Sequence, residues 1–123
     1  MIIADLNNSD INKRFTTDGR EIIKYLKLLP YPDTKPQQYR WLTGGGVTCE
    51  ALDIALCKDF NMSLLFDVLD YIKSKGVWVG IGFMYNSVTI KEEGYSDVSQ
   101  YNTFKESVFF AITKYIAYKN EHE

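Results

Sequence analysis

The chain reads as a small α+β domain: a short antiparallel sheet packed by helices. Three observations carry that reading. The segment from Asn61 to Lys75 repeats apolar residues at helical spacing, with Met62, Leu65, Phe66, Leu69 and Ile72 on one face. The next segment, Val77 to Tyr85, alternates as a strand and meets Asn86-Ser87, which can turn it into Val88-Thr89-Ile90. The last amphipathic stretch, about 103–120, places Phe104, Val108, Ala111, Ile112, Tyr115 and Ile116 on one side.

Each element has its signals. Asn61 or Ser63 starts the middle helix; Lys73 and Lys75 suit its negative end, and Gly76 fits the position just past it. Both faces of Val77–Tyr85 are largely apolar, which predicts a central strand in the hairpin 77–91. Lys91 to Gln100 is polar, contains Gly94 and reads as loop. Thr103 caps the final helix with Glu106 three residues on, and Asn120 to Glu123 should fray.

In the first half, a short helix over Asn8–Phe15 is capped by Ser9, and Ile2–Leu6 is a candidate strand. A helix over about 19–29 starts after Asp18, with Glu21 completing an Asp version of the capping box. Its stripe is Ile22, Ile23, Leu26 and Leu29, and Pro30 stops it. Pro30 to Gly46 holds all three prolines and ends in three glycines, so it reads mostly as loop, with Tyr39–Thr43 a candidate strand widening the sheet. Thr48 caps a short helix running to about Lys58, with Leu52, Ala55 and Leu56 inward. Helices on a small sheet give a layered sandwich, and 123 residues suffice for a single domain spanning 1–123.

Composition excludes more than it selects. The formal net charge is −2, which disfavours nucleic acid as a partner. No stretch nears the roughly 20 apolar residues of a membrane span. Met1 to Asp5 lacks the basic start of a signal peptide, and two cysteines on one short helix, about 12 Å apart, suit free thiols. A cytoplasmic protein is expected. The sole histidine, His122, lies in the terminal turn, so triads and most zinc sites lack their parts, and no cofactor is called for. A cysteine enzyme using Cys49 or Cys57 is the residual catalytic reading. Asp67 and Asp70 read as solvated acids.

Two features have functional colour. Gly44, Gly45 and Gly46 before Thr48 could cradle an anion, although the P-loop lysine is missing. Aromatics reach 15% of the chain. Tyr31, Tyr39 and Trp41 in the proline-rich segment make a candidate contact face, with Tyr95 and Tyr101 at other loops or edges.

The run Met62-Ser63-Leu64-Leu65-Phe66-Asp67-Val68-Leu69-Asp70-Tyr71-Ile72, then a strand pair, a polar gap and a helix from Phe104 ending Ala117-Tyr118-Lys119-Asn120-Glu121, is similar to small prophage-encoded proteins of unknown function. Those resemble phage α–β–α sandwich domains, and Asp59-Phe60-Asn61 departs from their usual Trp-containing cap. The resemblance implies the layered fold and a non-enzymatic accessory role. Sequence reasoning thus expects an accessory protein acting through a protein partner, with small-ligand or anion binding at Gly44–Thr48 as the alternative and homo-oligomerisation left open.

Overall fold

The computed structural model describes residues 18–122. The candidate helix at Asn8–Phe15 and strand at Ile2–Leu6 lie outside the described residues. Those residues form an α+β fold of four α-helices and two small antiparallel sheets.

Helix α1, Gly19–Leu26, starts on Asp18, whose carboxylate accepts from the N–H groups of Arg20 and Glu21 at 3.0 and 3.1 Å. It ends at Lys27, three residues before Pro30, because Lys27 turns into the left-handed conformation (φ 53°). Leu29, expected in the helix stripe, is therefore outside it and exposed. Ile22, Tyr25 and Leu26 form the buried face.

The proline-rich segment is more ordered than a loop. Strand β1, Gln38–Arg40, pairs with β2, Gly46–Thr48, as a separate two-stranded sheet that does not widen the main one. Gln37 Nε2 donates to Tyr31 O at 2.8 Å, and Gln38 N donates to Thr34 Oγ1 at 2.8 Å. Side-chain bonds of this kind replace the backbone ladder that proline removes.

Thr48 then caps α2, Cys49–Leu52, accepting from Ala51 N at 3.0 Å. The chain continues as a π-helical turn, Asp53–Lys58, with Leu52 and Leu56 buried. Helix α3, Met62–Ser74, is capped by Asn61 and buries Leu65, Val68, Leu69 and Ile72. Gly76 takes the positive φ (84°) that its position beyond the helix requires.

The main sheet has the order β3-β4-β5, built from Trp78–Gly82, Ser87–Glu92 and Tyr95–Gln100. Two expectations are corrected here. The first strand is an edge, with β4 at the centre, and it stops at Gly82 before a 3₁₀ turn over Phe83–Tyr85. The stretch read as loop contains β5. Its polarity is inverted: Tyr95, Asp97 and Ser99 lie on the covered side while Val98 is 59% exposed. Asp97 is satisfied there by Lys114 at 2.8 Å and by the Ser99 hydroxyl at 2.9 Å.

Helix α4, Phe104–His122, is the middle layer. It packs against β4 and β5 on one side and against α1 and α3 on the other. That explains why its burial runs almost all round, from Ser107 to Thr113 without a break. Thr103 accepts from Glu106 N at 3.2 Å, as the capping box predicts. The expected fraying at Asn120 is not found. Its amide donates to Glu21 O at 3.0 Å and to Glu21 Oε2 at 2.7 Å, fastening α4 to α1. Ser107, fully buried, joins three segments: its hydroxyl accepts from Tyr101 N at 3.0 Å and faces the carbonyls of Asn86 and Thr103.

Candidate functional sites

The three residues expected at a contact face are placed differently from one another. Trp41 is buried, and its indole N–H donates to Asp67 Oδ2 at 2.8 Å. It is a core anchor, and Asp67 is its acceptor, where the sequence suggested a contact residue and a solvated acid. Tyr31 is half-buried; its hydroxyl donates to Gly45 O at 3.3 Å and its ring carries the Arg40 guanidinium at 4.7 Å. Tyr39 is half-buried in β1, opposite Val47. Tyr101 is buried against Phe110, and Tyr95 packs edge-on to Tyr115.

The glycine loop is a hairpin turn. Gly44 N donates to Trp41 O and Trp41 N to Gly45 O, both at 3.1 Å, with Gly44 and Gly45 at φ 112° and 77°. Thr48 is used as a cap of a four-residue helix. The N–H of Gly44 and the hydroxyl oxygen of Thr48 thus have internal partners.

Both thiols are pushed above the ordinary cysteine range. Burial, reinforced by Asp53, pushes Cys57 up to about 12, and burial with Asp18 raises Cys49. Neither offers the thiolate a nucleophile needs near neutral pH. Among the described residues no three His, Cys, Asp or Glu side chains are grouped to hold a metal, and no helix is long and apolar enough to cross a membrane. His122 stacks on Tyr118 with centroids 4.2 Å apart.

Tyr95 and Tyr115 are also raised, both chiefly by burial, with Asp97 acting next on Tyr95 and the Glu92 hydrogen bond next on Tyr115. All four groups ionise more readily in the unfolded chain. Their contribution to stability is therefore intact below the unfolded thiol range, about pH 8.5, and is lost as pH rises through the alkaline range. The urea midpoint should fall between pH 8.5 and about 11. A flat midpoint over that range would contradict the burial of these groups.

Two surface features remain. One is the outer face of the main sheet. Register places Trp78, Lys91 and Ser96 in one row, Gly80, Thr89 and Val98 in the next, and Gly82, Ser87 and Gln100 in the third. The Trp78 indole lies over Gly80, where a Cβ would strike it. Lys91 reaches over the same ring at 5.5 Å. Beyond Gly82 the 3₁₀ turn exposes Phe83, Met84 and Tyr85. The sequence signal is the alternation in β3, where apolar residues on both faces predict a central strand; the face that bears Trp78 is uncovered.

The other is a pocket of about 320 Å³ between the ends of α1, α3, β4 and α4. Its wall holds Tyr25, Tyr71 and Tyr115, with Tyr25 edge-on to both others at 5.7 and 5.9 Å. Lys27, Lys75 and Lys119 line it together with Glu92. Glu92 Oε2 accepts from the Tyr115 hydroxyl at 2.9 Å, and Oε1 pairs with Lys119 at 3.3 Å. No sequence motif marks this site, because its lysines come from three separate helix ends.

Comparison with known protein families, curated proteins and solved structures gave no match to this chain.

Proposed function

We propose that the chain is a non-enzymatic accessory protein, of the prophage type its C-terminal half resembles, that binds a protein partner through the outer face of the main sheet. The carrying observation is the exposure of large apolar side chains along one strand and its turn: Trp78 57%, Phe83 69%, Met84 88% and Tyr85 67%. Single exposed apolar residues are ordinary, whereas an outward Trp78 on the sheet face together with three exposed residues in the turn that follows its strand favours an interface. Trp78 is an aromatic of the type that dominates binding energy, and its indole is held beside Gly80 and Lys91 while 57% exposed.

Charge narrows the partner. Lys91 is the one charged residue among the nine in the three outer rows. A complementary surface is apolar at its centre, with a carboxylate opposite Lys91 beside the Trp78 ring. A backbone-polyanion partner would ask for more cations than this face holds.

The test uses a partner captured from the native host and then purified. Trp78→Ala with Met84→Ser should weaken direct binding by about 30-fold or more while leaving the circular dichroism spectrum unchanged. Tyr39→Ala, on the other sheet, should leave binding intact. Equal affinity of the Trp78/Met84 variant would overturn the assignment. So would concentration-dependent dimerisation lost in that variant, which would make a second copy the occupant, or stacking of a single-stranded oligonucleotide on Trp78.

A further inference from the structure

We propose that the pocket between the helix ends is a binding site for a small phosphate monoester whose organic part is flat and apolar. The site is built from other side chains than the sheet face, although its Val77 and Glu92 adjoin Trp78 and Lys91 in sequence, and it does not depend on the reading given to that face.

The charge count is the first argument. Three lysines and one glutamate line the pocket, a formal +2 in a chain whose net charge is −2. Glu92 does not neutralise that excess. Both its oxygens are engaged, one by Tyr115 and one by Lys119. Lys27 and Lys75 make no ion pair among the described residues; Lys75 has only the Tyr71 ring, 4.9 Å from its Nζ. Two lysines lining one concavity suit a dianion, and a phosphate monoester is dianionic near neutral pH. Lysine binds phosphate as a point charge and needs no fork geometry, so a pair of flexible stems can close on it.

Pocket shape gives the second argument. The volume is at the lower end of the range that holds small organic ligands. Three tyrosines stand in the wall, Tyr25 edge-on between Tyr71 and Tyr115; Tyr25 and Tyr115 are buried, which leaves the half-buried Tyr71 as the ring a ligand meets. Bare phosphate would leave most of this volume empty and the Tyr71 ring uncovered. An aromatic or similarly flat group attached to the phosphate would fill the interior while the charge stays at the lysines.

Lys27 adds a third observation. It sits in the left-handed conformation at the end of α1, where glycine or asparagine would be at lower cost. The turn directs the chain out of the helix at the pocket, and the same conformation makes a clean test available: Lys27→Gly removes the ammonium and suits the backbone.

Phenyl phosphate is the probe, with inorganic phosphate and phenol as its two halves, followed by chemical shifts in NMR. Saturable binding should move resonances of Tyr25 and Tyr71 and weaken with salt. Each half should bind about tenfold or more weaker than the whole. Lys27→Gly combined with Lys75→Ala should lower phenyl phosphate affinity by about tenfold or more without loss of thermal stability. Three results would overturn the proposal: no saturable shift, equal binding by the lysine double variant, or inorganic phosphate binding as well as phenyl phosphate. Met84→Ser, in the turn at the far end of β3, should bind the probe normally, so failure at one site is read independently of the other.

Discussion

Trp41→Ala should destabilise the protein by about 4 kcal/mol, the scale at which a buried large aromatic is lost from a core. Trp41 is 6% exposed and sits in the same cluster as Leu65, Leu69 and Ile72. Removing the indole leaves an aromatic-sized void and deprives Asp67 of the donor 2.8 Å from its Oδ2. The two losses can be separated. Trp41→Phe keeps most of the apolar volume and drops the hydrogen bond, so it should cost only about 1–2 kcal/mol. Urea unfolding followed by circular dichroism gives both values. A loss under about 1 kcal/mol for Trp41→Ala would place the ring outside the core and return it to the role of a surface contact.

That residue shows where sequence reasoning reached its limit. A tryptophan between three prolines and three glycines has no periodic neighbours to indicate which side it faces. What decides is a partner 26 residues away, on a helix whose own pattern marked Asp67 as outward. The helices themselves were legible, since their caps and stripes are local. Asp18, Thr48, Asn61 and Thr103 all bond the N–H groups that the sequence assigns to them. Helix α1 ends earlier than Pro30 predicts because Lys27, in the left-handed conformation, already stops it, and α4 runs on past Asn120 because that amide is held by Glu21.

The sheet was harder to read because β5 breaks the rule that the apolar residue faces inward. Val98 points outward, and the covered positions hold Asp97 and Ser99, which α4 satisfies through Lys114. Pattern counting sees only a polar stretch. Strand β3 misleads in the opposite way: it is apolar on both faces, as a central strand would be, yet it is an edge and Trp78 stands on the uncovered face. The pocket was illegible for a different reason. Lys27, Lys75 and Lys119 look like ordinary helix-end cations, each accounted for by the dipole of its own helix. Only the packing of α1, α3 and α4 brings them to one cavity.

Gly19→Ala should cost about 2–3 kcal/mol, as overpacking of a close backbone contact does. The sign is the informative part. Gly19 has no positive φ and begins a helix, where alanine is otherwise favoured by up to about 1 kcal/mol. The opposing term is steric. A Cβ at Gly19 would overlap the carbonyl oxygen of Cys49 and press on its sulfur at 3.2 Å. That carbonyl cannot move cheaply: it is the first residue of α2, fixed by the Thr48 cap on Ala51 and by β2 pairing just before it. So α1 must shift instead, and α1 carries Tyr25 and Lys27 into the pocket wall. Gly19→Ala should therefore lower both the urea midpoint and phenyl phosphate affinity. If it raised the midpoint, the α1–α2 contact would be looser than this packing and helix propensity would prevail. If the midpoint fell while affinity held, the pocket would be set by α3 and α4 without the help of α1.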